Sequence, residues 1–98
     1  MGLLRIGTDI IVSNQTVGGD SLSIRAGARR ILLENLAANT ITAILTDTDE
    51  NSIEISLPAS SSVPGANFDL ELDGDHLGAL TLTVSGSEGE QIRATVIY

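Results

Sequence analysis

The sequence predicts an all-β fold: a compact antiparallel β-sandwich, jelly-roll-like or immunoglobulin-like, of about eight short strands. Three observations carry that expectation. Apolar residues recur with a period of two, as in Phe68, Leu70 and Leu72 or in Leu80, Leu82 and Val84, which is the spacing of one face of a pleated strand. The alternating runs are short and evenly spaced. The breaks between them carry turn formers: Gly18-Gly19-Asp20, Ala26-Gly27, Asp47-Thr48-Asp49-Glu50-Asn51, Asp73-Gly74-Asp75 and Ser85-Gly86-Ser87-Glu88-Gly89.

The first strand is expected over residues 3–12, with Leu4, Ile6, Ile10 and Val12 on one face. Leu3 and Ile11 make the other face apolar as well. Two readings stand: a strand paired inside its own domain with both faces covered, or an N-terminal arm, residues 1–13, exchanged with a neighbouring subunit. The first is preferred because edge strands are normally kept at home. Leu22 and Ile24 flank Ser23 in a short second strand, and residues 29–34, RRILLE, form a third whose faces divide less cleanly. A helix over Ala28–Ala38 competes there, but it lacks a clear cap and its neighbours read as strands. Ile41, Ala43 and Leu45 mark the fourth strand and Ile53, Ile55 and Leu57 the fifth. Residues 57–67, LPASSSVPGAN, hold both prolines and cannot be a central strand. They read as a long connection crossing between sheets, with a mobile contact loop as the alternative. Phe68–Leu72 then runs into Asp73-Gly74, a hairpin signal leading to the strand Leu80–Val84. Ile92, Ala94 and Val96 mark the last strand.

A chain of 98 residues is expected to be a single domain with one modest core. It has no cysteine, which excludes disulfides, thiolate metal sites and thiol redox chemistry. The start, MGLLRIGTDIIVS, does not have the pattern of a secretion signal, and Ile6 stands where a myristoylation signal wants Ser or Thr. The triplet Asn14-Gln15-Thr16 matches a glycosylation acceptor and is read as chance. Net charge is −8 and unevenly placed: residues 1–40 carry four arginines against three acids, residues 41–98 one arginine against ten acids, and lysine is absent. An acidic surface repels nucleic acid and anionic membranes. The aromatics are Phe68 and Tyr98 alone, too few for a base-stacking platform. No nucleic-acid or membrane partner is expected.

The densest chemical cluster is FDLELDGDHLG, residues 68–78, with four acids and the single histidine, His76. As a calcium loop it supplies Asp73, Gly74 and Asp75, but Leu77 and Leu80 stand where oxygens are needed. Glu71 and Asp73 are neighbours on one strand face, yet acid/base work on a sugar needs carboxyls about 5 to 10 Å apart across a cleft. No second histidine completes a site. Asp47–Asn51 is a second acidic turn that reads as solvated. The chain is read as not an enzyme and as needing no cofactor or metal. Arg29 and Arg30, adjacent on a strand, face opposite ways, so one pairs with an acid of residues 69–75 as a stabilising or subunit contact.

The run ARRILLENLAANTI, residues 28–41, with FDLELDG at 68–74, GALTLTVSG at 78–86 and the closing IRATVIY, resembles small β-sandwich virion proteins of tailed bacteriophages, of the capsid decoration or cement type. Thr42 replaces an aromatic often found after the Ala-Asn-x-Ile turn, and the first 24 residues fall outside the resemblance. The resemblance implies a structural virion protein that binds the major capsid protein on the outer surface of a phage shell, as a homo-oligomer with a trimer favoured. The interface residues expected from the chain itself are Leu3, Leu4, Arg5, Ile6, Ile10, Ile11, Arg29 and Arg30. The rival readings are a calcium-dependent or glycan- or host-surface-binding module, and a tail- or head-fibre-associated domain.

Overall fold

The computed structural model describes residues 9–60 and 67–98. Eight strands follow in order: β1 (Ile10–Thr16), β2 (Leu22–Ile24), β3 (Arg30–Asn35), β4 (Ile41–Asp47), β5 (Ser52–Leu57), β6 (Phe68–Glu71), β7 (Leu80–Ser85) and β8 (Gln91–Ile97). They form two antiparallel four-stranded sheets, β1-β8-β3-β6 and β2-β7-β4-β5. β1 pairs with β8, β2 with β7, β3 with β6 and β4 with β5. That pattern is one long hairpin folded over on itself, the topology of a jelly roll. The β3–β8 and β4–β7 pairings complete the two sheets. An immunoglobulin order would make several consecutive strands neighbours; among the described strands only β4 and β5 are both consecutive and paired.

The core is what the alternation places between the sheets. Ile31 and Leu33 of β3 and Ile92, Ala94 and Val96 of β8 point in from one side; Ile41, Ala43 and Leu45 of β4 and Leu82 and Val84 of β7 point in from the other, all buried. Burial of each large aliphatic side chain contributes roughly 1.5–3 kcal/mol. On the outer face of the second sheet the register sets Ser23, Thr81, Thr46 and Ser52 in one row across four strands. Hydroxyls there meet solvent, which accounts for the Thr and Ser between the apolar positions.

Three expectations need correction or sharpening. The Asp73-Gly74 turn does not close a hairpin, because β6 and β7 lie in opposite sheets. β3 takes β6 as its partner, while β2 and β4 occupy both edges of β7, so no edge is left for a β6–β7 pair. Residues 72–77 are instead stitched to residues 27–29: Leu72 N–H donates to the Arg29 carbonyl (2.8 Å), Leu77 N–H to that of Ala28 (2.7 Å), and Gly27 N–H to that of Leu77 (2.9 Å). Leu77 thereby packs against the core before the chain crosses to β7. Residues 3–8 of the expected first strand lie outside the described residues, and the strand extends further than expected: β1 runs on through Thr16, paired along its whole length with β8. Its polar end hid it, since Gln15 sits at an inward position, buried and donating to Ser13 Oγ (2.6 Å). The third strand divides cleanly after all, with Ile31, Leu33 and Asn35 inward and Arg30, Leu32 and Glu34 outward.

Candidate functional site

The expected interface residues fall into three groups. Leu3, Leu4, Arg5 and Ile6 lie outside the described residues. Ile10 and Ile11 open β1, where Ile10 is 60%, Ile11 38% and Val12 59% exposed. Arg29 immediately precedes β3 and Arg30 opens it.

Arg30 is committed within its own chain. Its Nε and a terminal guanidinium nitrogen fork onto the two carboxylate oxygens of Asp69, at 3.0 and 2.8 Å. In register Arg30 lies opposite Glu71 and Leu32 opposite Asp69, so the ion pair is a diagonal one on the outer face. The hydrogen bond to Arg30 holds the Asp69 carboxyl below its ordinary value, and the same contact raises Arg30. Arg29 donates to the backbone oxygen of Tyr98 (3.0 Å). Both arginines line an open depression of about 300 Å³ with Glu71, Leu72, Asp73, Gly74 and Ile97.

The start of β1 is held by residues that the sequence did not single out. Tyr98 N–H donates to the Asp9 carbonyl (2.9 Å), and the Arg25 guanidinium reaches the Asp9 carboxylate (3.0 Å). Arg25 also lies over the Tyr98 ring, 4.0 Å from its centroid, while the Tyr98 hydroxyl donates to the Arg25 carbonyl (3.2 Å). A cation over an aromatic face is attracted by the ring quadrupole. Asp9, Arg25 and Tyr98 thus form a clasp at the start of β1. Their spread over the chain left no local signal; a lone terminal aromatic in a chain so poor in them was the one available hint.

From the clasp an apolar strip spreads over the outer face of the first sheet. The register sets Ile10 beside Ile97 and Val12 beside Thr95, with Leu32 on the far side of Thr95. It is bounded by the Arg30–Asp69 pair and by Arg93 on Glu34 (2.9 Å). A second apolar feature, an open groove of about 190 Å³ between the sheets, is lined by Leu45, Ile53, Leu70, Leu77 and Leu80.

The acidic turns are structurally occupied or open to solvent. Asp47 closes the β4–β5 turn: its carboxylate accepts from the Asp49 N–H (2.8 Å) and the Asn51 N–H (2.9 Å). The Asn51 backbone bond is the first cause holding Asp47 below the usual carboxylate range. Asp75 caps the His76 N–H (2.8 Å), and His76 itself is exposed. Among the described residues no three His, Asp or Glu side chains converge on a point that would hold a metal.

Comparison with known proteins adds no identity: no family model and no curated protein matches this chain.

Proposed function

We propose that the protein is a structural component of a virion, a decoration protein that attaches to the outer surface of a phage shell and stabilises it. The observation that carries this reading is the adhesive strip at the start of β1. Among the described residues Ile10, Ile11 and Val12 are three of the four exposed large apolar side chains, with Ile53 the fourth, and they continue in sequence from Leu3, Leu4 and Ile6. Contiguous exposed apolar surface marks an interaction site. The jelly-roll topology supports the reading as an analogy of fold, since capsid domains use it, as do lectins and cupins. Small contacts repeated at every equivalent position of a shell sum to high avidity, so a modest apolar strip suffices.

In this reading residues 2–8 face the major capsid protein, and the clasp of Asp9, Arg25 and Tyr98 holds the start of β1 next to them in sequence. The test is occupancy on shells of the virus that encodes the chain, purified without it and mixed with added protein. Full-length protein cosediments to saturation. A chain lacking residues 2–7 keeps its thermal midpoint and loses at least about tenfold in apparent affinity, the loss of one or two anchoring side chains per site. Unchanged occupancy, or no binding by the full-length chain, overturns the reading.

A further inference from the structure

The four sheet edges differ in kind. β2 has three residues, β5 carries Glu54, and β6 has four residues with Asp69 and Glu71. Short length and charge are the usual protections of an edge against pairing with another chain. β1, IIVSNQT, has seven residues and no charge, and no proline interrupts it. Among the described residues no strand pairs with its outer side.

The exposed apolar residues say how a partner approaches. Ile10 and Val12 point to the outer face and Ile11 to the inner one, since successive strand residues alternate. A partner laid flat on the outer face leaves Ile11 in water. A strand hydrogen-bonded along the edge flanks all three.

Charge selects the occupant. In a chain of net charge −8 a contact between copies is repulsive unless the touching surfaces are neutral or opposite in sign. Joining β1 to the β5 or β6 edge of another copy would press Glu54, or Asp69 and Glu71, against Ile10 and Val12, and burying carboxylates beside apolar groups is costly. β1 against β1 brings no charged strand residue to the seam.

We infer that β1 pairs antiparallel with β1 of a second copy about a two-fold axis, joining two four-stranded sheets into one of eight. A two-fold contact is self-complementary and closes at two. The pairing stands apart from the proposed virion role and is measured without any shell.

Light scattering of the full chain at several concentrations tests it, alongside Val12→Glu, Ile53→Glu and the chain lacking residues 2–7. The wild type is expected at twice the 10.2 kDa chain mass. Val12→Glu sets a carboxylate near the axis on each copy and weakens the dimer at least about tenfold, with more loss at low salt than at high. Val12 is 59% exposed, so this variant keeps the wild-type circular dichroism. Ile53→Glu, at an equally exposed apolar site on β5, leaves the dimer intact, as does loss of residues 2–7. A monomer, a trimer, a dimer indifferent to Val12→Glu, or a dimer lost with residues 2–7 or in Ile53→Glu overturns the inference. A dimer that fails to bind shells leaves it standing and removes the virion role.

Discussion

Asn35 has no solvent exposure and satisfies four backbone groups at once. Its Nδ2 lies within bonding distance of the carbonyls of Asn39 (2.8 Å), Leu57 (3.0 Å) and Pro58 (3.0 Å), so three acceptors share two N–H bonds. Its Oδ1 accepts from the Ala37 N–H (2.7 Å). The side chain thereby ties the end of β3 to the turn before β4 and to the end of β5. Asn35→Ala strands these groups in the interior, where each unsatisfied one costs about 1–3 kcal/mol. A loss of about 3 kcal/mol or more is expected from the urea midpoint. Position 35 is in phase with Ile31 and Leu33, so alternation alone marks it as inward. That it is a network centre was not legible, because the partners of its side chain lie up to 23 residues away.

At the scale of the element, β6 is the shortest strand of its sheet, paired on one side only among the described residues and half exposed. The Arg30–Asp69 fork pins it to β3, while Asp47 closes the β4–β5 turn, in which Glu50 takes a left-handed conformation at φ 67°. Both carboxyls lie below their ordinary value of 3.8 in the folded chain. Unfolding returns them to it, so their contribution is fully present above that value and is lost as the pH falls through the lower folded values. Glu71 is the other charged group beside Arg30. Urea midpoints measured from about pH 6 down to about pH 2 should therefore fall in the acid range below about pH 4. Asp69→Asn is expected to lower the midpoint at neutral pH and to make the acid fall shallower. Most element positions were legible from the alternation, including β2 and β8. The β6–β7 connection was not: Asp-Gly between two alternating runs is a local hairpin signal, whereas sheet membership is decided by which partners the other strands have already taken.

At the scale of the molecule both sheets share one core, so damage from either side should act on a single transition. Leu33 and Leu82 are fully buried and project from opposite sheets. Leu33→Ala and Leu82→Ala are each expected to cost about 2–5 kcal/mol and to lower one cooperative thermal transition rather than split it. Calorimetry checks this through the agreement of calorimetric and van't Hoff enthalpies. The excess of acids in residues 41–98 spreads over turns and outer faces of this one body. Part of it meets arginine inside the chain, as where Asp69 pairs with Arg30.

Strand identity, the inward faces and the sandwich class follow from the sequence by itself, because a period of two is a local property and the core face must be apolar wherever the strand ends up. The jelly-roll order, the assignment of β6 and β7 to opposite sheets, the Asp9–Arg25–Tyr98 clasp and the place of β1 at the end of its sheet belong to the tertiary structure alone. Each depends on competition between strands for a limited number of edges, and on contacts between residues far apart in the chain. Neither leaves a trace in any short stretch of sequence.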